Sequence, residues 1–138
     1  LDTGSPMSEE SVAITRAAFD AFERGDFDAW VATFSDDAEL YSLRAQLEGN
    51  PYRGHDGLRR FLVDSDEQWD YVRLDNREIR DAGESVVVLA DFRARGSASG
   101  VELDFPVGMV AIVRGGKIAY GRFYSDPEEA LAAAGLSE

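Results

Sequence analysis

The sequence contains no cysteine and a single histidine. The first absence removes disulfides, thiolate nucleophiles and zinc–thiolate centres. The second leaves one imidazole, His55, for any chemistry that needs a proton carrier near neutral pH. Basic residues are scarce as well: 14 against 27 acidic ones, a formal net charge of −13. A field of that sign repels phosphate backbones and anionic lipid surfaces, so neither nucleic acid nor membrane is an expected partner. No apolar run approaches a membrane span. No carboxylate or histidine spacing matches a metal-ligating motif, so no metal is expected, and no cofactor is implied. The lack of cysteine fits a reducing compartment, and the expected location is cytoplasmic.

What remains is an ordinary globular composition. The 138 residues are 44% hydrophobic and 30% charged, the size of one domain with a real core. Residues 1–6, ahead of Met7, read as an expression scar, and residues 7–138 as a single domain. Ser8, with Glu9 and Glu10 in the following turn, suits a helix start, and Ile14, Ala18 and Phe22 give that helix one apolar stripe. Gly25 stops it and Asp26 caps a second helix, with Phe27, Trp30, Val31 and Phe34 at i, i+3, i+4 and i+7. Asp36-Asp37 marks a turn before a short strand from Ala38 to Leu43. A loop over 44–57 precedes a third helix opening at Asp56 or Gly57, whose inward stripe is Leu58, Phe61, Leu62, Ser65 and Trp69. Asp64, Asp66, Glu67 and Asp70 on the same helix read as a solvated acidic face.

The second half is a meander. Tyr71 to Asp81 is an outer strand with a wet face, followed by Ser85 to Arg95. Val101 to Arg114 is the longest strand, where Pro106 and Gly108 suggest a bulge or bend. Gly115-Gly116 turns the chain into Lys117 to Ser125. Asp126-Pro127-Glu128-Glu129 opens a short final helix. These strands are apolar on both faces, and a sheet of that kind must be covered on both sides. Three amphipathic helices cover one side. The other, with Asp91, Arg93, Tyr120, Arg122 and Tyr124, is expected to meet a second copy of the chain.

The element order resembles the nuclear-transport-factor-2-like superfamily, the fold of ketosteroid isomerases, limonene epoxide hydrolases and SnoaL-type polyketide cyclases. The resemblance rests on Arg24-Gly25-Asp26, Phe34-Ser35-Asp36-Asp37-Ala38, Arg53-Gly54-His55-Asp56-Gly57, Leu103-Asp104-Phe105-Pro106-Val107 and Gly116-Lys117-Ile118 through Tyr124-Ser125-Asp126. It implies an α+β, cystatin-like cone: three N-terminal helices on a curved, mainly antiparallel sheet, with a short C-terminal helix. It also implies a register. The isomerase base falls on Ser42, the helix-one tyrosine near Ala18, and the second acid near Val107 or Gly108. The hydrolase arginine and aspartates fall on Ala90, Phe92 and Phe123. The chemistry of both families is therefore missing from its usual places.

The same register implies a pocket carrying Ala90, Phe92, Phe105, Val107, Met109, Gly121 and Phe123, roofed by Trp30, Phe34, Phe61 and Trp69. Gly121 and Ala119 leave room beneath the aromatic side chains, although a filled core with no cavity is the competing reading. Ser42, Arg44 and His55 are the candidate polar handles, Ser42 also as a ligand contact. Against them stand a serine with no histidine beside it, a rim arginine paired to Glu48, and a solvated loop histidine. The functional expectation is a SnoaL-like protein that binds an apolar small molecule, as an isomerase-, cyclase- or hydrolase-like enzyme. The alternative is a non-catalytic ligand carrier or dimeric interaction module.

Overall fold

Helix α1 (Pro6–Glu23) ends where Gly25 adopts a φ of 78°. Asp26 then caps α2 (Phe27–Ala32), its Oδ1 accepting from the Ala29 amide at 3.2 Å. These elements come from a computed structural model, which describes residues 6–43 and 49–136. Arg44 and Glu48 therefore lie outside the described residues. The second helix stops earlier than its apolar spacing suggests. Thr33 closes it, its Oγ1 and amide both donating to Trp30 O at 2.6 and 3.1 Å. The carbonyl of Thr33 accepts from the Ile118 amide at 2.9 Å, which draws the chain into the sheet. Phe34 is thus the first residue of β1 (Phe34–Tyr41) and not the last turn of a helix.

Asp36 and Asp37 lie within β1, at an irregularity between Phe34 and Glu39, and not at a turn between elements. The expected long loop also contains β2 (Tyr52–Arg53), and α3 (Gly54–Gln68) starts before Asp56. Strands β3 (Trp69–Asp81), β4 (Val86–Gly96), β5 (Glu102–Arg114) and β6 (Lys117–Tyr124) form the meander, and α4 (Pro127–Ala133) closes it. Trp69 belongs to β3 and not to the helix before it. The six strands form one sheet in the order β2-β1-β6-β5-β4-β3. Only β1 and β6 run parallel; the other neighbours are antiparallel. The expected α+β architecture of helices on a mainly antiparallel sheet is the one observed.

Two bulges shape the inner face. On β6 the pairing shifts between Ile112↔Tyr120 and Val113↔Ile118, which leaves Ala119 as the extra residue and turns Ile118 inward. On β3 it shifts between Asp75↔Asp91 and Glu78↔Leu89, where Asn76 has a φ of 57°. Arg77 emerges there and reaches α1, its Nη2 donating to Asp20 at 3.0 Å and Glu23 at 2.8 Å. Its Nη1 holds Leu74 O at 3.0 Å, so one guanidinium ties the first helix to the edge strand. The main core lies between the helices and the inner face, around Val31, Phe34, Leu40, Leu58, Val88, Ala111 and Ile118.

No bulge interrupts β5 at Pro106 or Gly108. The β4–β5 pairing is continuous from Val86↔Ala111 to Arg95↔Glu102. Gly108 serves another purpose: a Cβ there would lie 2.5 Å from Ala130 Cβ and 3.3 Å from Pro127 Cα. Helix α4, capped by Asp126 with Pro127 in its first turn, therefore docks on the outer face over Val87 and Val110. The outer face is not left entirely for a partner. Gly108→Ala must push α4 off its seat, and denaturant unfolding should show a loss of about 1–3 kcal/mol. An unchanged midpoint removes this account of the glycine.

Candidate functional site

A cavity of about 180 Å³ lies between α1, α2, α3 and the inner face of the sheet. Aromatic rings make up nearly half of its wall: Phe19 and Phe22 from α1, Trp30 from α2, Phe34 from β1, Tyr52 from β2, Phe61 from α3, and Trp69, Phe92 and Phe123 from the meander. These rings brace one another. Trp30 packs on Phe22, Phe34 and Phe61 with centroids 5.7, 5.0 and 5.8 Å apart, and Phe61 meets Tyr52 edge-on at 5.3 Å. On the sheet side Trp69 meets Phe92 edge-on at 5.7 Å.

Eight of the twelve residues that the register placed at the pocket line this cavity: Trp30, Phe34, Ser42, Phe61, Trp69, Phe92, Met109 and Phe123. Ala90, Phe105, Val107 and Gly121 share the inner face by strand register but lie outside the lining. Phe105 sits behind Phe92, stacked on it at 5.0 Å. The space above Gly121 is already taken, since a Cβ there would lie 2.9 Å from Met109 Cε and 3.3 Å from Leu40 Cδ1. The room expected beneath Gly121 and Ala119 is filled by these side chains and by the β6 bulge.

The polar edge of the cavity consists of Ser42, Tyr52, Asp64, Ser65 and Gln68. Asp64 departs from the solvated acidic face expected of it and lines the hollow. It is half-buried, and its Oδ2 accepts a 2.7 Å hydrogen bond from the Tyr52 hydroxyl. Its sequence signal is the helical spacing Phe61, Asp64, Ser65, Gln68, at i, i+3, i+4 and i+7, which puts the aspartate on the inward face. The neighbouring Asp66, Glu67 and Asp70 are exposed, as expected of a solvated acidic face. Tyr52 carries no such signal, because the segment around it lacks periodicity.

His55 does not line the cavity. Its Nε2 donates to Phe34 O at 2.9 Å and lies 3.8 Å from Asp36 Oδ1. The imidazole therefore ties the start of α3 to the irregular part of β1. Among the described residues no cluster of carboxylates or histidines could hold a metal ion. None of the described helices is long and apolar enough to cross a membrane.

The outer face carries a separate network. Arg93 pairs with Asp75 at 3.0 Å and Asp104 at 3.2 Å, and Arg73 pairs with Asp75 at 3.2 Å. The Arg73 hydrogen bond, reinforced by Arg93, holds the Asp75 carboxyl below the usual carboxylate range. On β6, Arg122 lies over Tyr41 at 5.1 Å and Tyr124 at 5.6 Å, and Tyr41 is 5.8 Å from Tyr120. Arg122 Nε is buried without a hydrogen-bond partner. Burial pushes the Tyr124 phenol up, and the neighbouring Tyr120 adds to this.

Residues 15–121 match the SnoaL-like domain family. Among curated proteins none matches the chain. Solved structures share the fold. An NTF2-like protein from Burkholderia xenovorans is 26% identical, with a TM-score of 0.73 over 91% of this chain and 95% of its own. TerC, co-crystallised with polyporic acid, is 21% identical, with a TM-score of 0.74 over 92% and 97%. A protein with a ketosteroid isomerase-like fold from Catenulispora acidiphila, in complex with trimethylamine, is 19% identical, with a TM-score of 0.70 over 89% and 92%.

Proposed function

Because the chain belongs to the SnoaL-like domain family, we propose that it binds an apolar small molecule in the cavity beneath its helices. The observation that carries this reading is the composition of the wall: braced aromatic rings with one short polar edge. The cavity volume of about 180 Å³ sets the scale of the ligand. An apolar cavity of about 150 Å³ takes benzene, so the fit here is to a single ring with a short substituent and not to a four-ring skeleton. The crystal complexes of TerC with polyporic acid and of the Catenulispora protein with trimethylamine support a small-molecule site in this fold.

A second reading is favoured by Tyr52 and Asp64. A carboxylate hydrogen-bonded to a phenol at the edge of an apolar hollow is a proton-transfer pair. In that reading Asp64 takes a proton from carbon beside a carbonyl, Tyr52 positions it, and the protein is an isomerase- or cyclase-like enzyme.

We also propose that a second copy covers the outer face beside α4. Tyr41, Tyr120, Arg122 and Tyr124 present an amphipathic patch of the composition that interfaces favour.

Each reading has its own measurement. Single-ring lipophilic compounds should raise the melting temperature, a stabilisation of about 2.7 kcal/mol at a hundredfold excess over Kd. Ser65→Leu, which fills the cavity from α3, should fold and lose the response; an equal response in the variant sinks the binding site. Proton transfer should appear as deuterium exchange into phenylacetone followed by NMR, about tenfold or more slower in Asp64→Asn. Exchange at the uncatalysed rate in the unmodified protein removes the enzyme reading. Light scattering at micromolar concentration should give twice the chain mass, falling towards one chain in Tyr120→Glu. A monomer in the unmodified protein ends the dimer proposal.

A further inference from the structure

Asp64 is the one charged residue among the described residues that line the cavity. It accepts one hydrogen bond, from Tyr52 at 2.7 Å, and no described arginine or lysine forms an ion pair with it. Arg60, four residues earlier on α3, lies with its guanidinium over the Tyr52 ring, 5.4 Å from the centroid, and makes no ion pair with Asp64. A carboxylate on an apolar wall is stabilised by an arriving cation far more than by a neutral group, because the surroundings screen it poorly. The rest of the wall favours the same choice. Aromatic rings make up nearly half of it, and a weakly hydrated organic cation is attracted to a ring face within about 6 Å of its centroid. The formal charge of −13 raises the concentration of cations around the whole molecule and repels anions.

We propose that the ligand of this cavity is an organic ammonium ion, with its apolar ring or chain among the aromatic side chains and its charged nitrogen against Asp64. The proposal rests on the binding reading above and amends it, from a wholly apolar ligand to one that is apolar in body and charged at one end. Tyr52 holds the carboxylate in place through its hydroxyl, so it is a positioning residue, while Asp64 supplies the charge. Ser65 and Gln68 offer acceptors for the N–H groups of a ligand that is not fully alkylated.

Calorimetric titration of the full chain with three compounds of one size tests this. Benzyltrimethylammonium is the cation, neopentylbenzene its neutral isostere and phenylacetate the anion. The cation should bind at least about tenfold more tightly than the neutral compound. Asp64→Asn, which keeps an acceptor for Tyr52, should reduce that preference to within about twofold, and Tyr52→Phe should keep most of it. Melting curves of both variants establish that they are folded. Equal or tighter binding of the neutral compound or the anion overturns the ammonium proposal and leaves the cavity as a binding site. The same holds for a cation preference that survives Asp64→Asn. Failure of all three compounds to bind the folded protein overturns the proposal and the binding reading together.

Discussion

The packing of Trp30 is the contact on which the rest of this structure depends. Its indole touches Phe22, Phe34 and Phe61, and so joins α1, β1 and α3 through one side chain of α2. At 7% exposure it is almost wholly removed from water, and a ring of that size dominates local energetics. The consequence is geometric as well as energetic. Helices held apart by interlocked rings cannot collapse fully onto the sheet, and the hollow beneath them is the space left over. The neighbouring contacts refine this arrangement: His55 fastens α3 to β1, and Arg77 fastens α1 to β3.

The two layers answer different demands. The inner face is apolar where it meets the helices, and irregular pairing adjusts which side chains reach the hollow. The β6 bulge at Ala119 sends Ile118 inward, so the strand serves the cavity at two positions that simple alternation would place on opposite sides. The outer face is divided. Helix α4 covers the apolar part around Val87 and Val110, while Arg93 and its aspartates neutralise one another on the polar part. Asp64 is the one charge among the described residues of the cavity wall, and its tie to Tyr52 joins the polar edge to β2.

Much of this was legible in the residues themselves. Asp26, Gly25 and the Asp126-Pro127 start are local chemistry, and local chemistry survives into the fold because it needs no distant partner. The aromatic wall was legible because apolar spacing on helices and strands reports which face is buried. Three features were not. Phe34 fits a helical stripe, yet its neighbour Thr33 accepts from Ile118 across the molecule, and that pairing is invisible to periodicity. Gly108 beside Pro106 imitates a bulge, and only the docked α4 reveals why a side chain is excluded there. Asp64 sits within a run of acidic residues, and composition masked a spacing that pointed inward. Long-range contacts decide the first two cases, and a local window holds no information about them.

The parallel pairing of β1 with β6 has a consequence for synthesis. Lys117 reaches back to the carbonyl of Ala32, 85 positions earlier, and Phe34 pairs with Ile118 beside it. A ribosome therefore releases the helical half of the chain long before the strand that completes its sheet exists. Until β6 emerges, one edge of β1 stays open and the indole at the centre of the roof lacks its floor, a condition that slows folding and invites capture by chaperones.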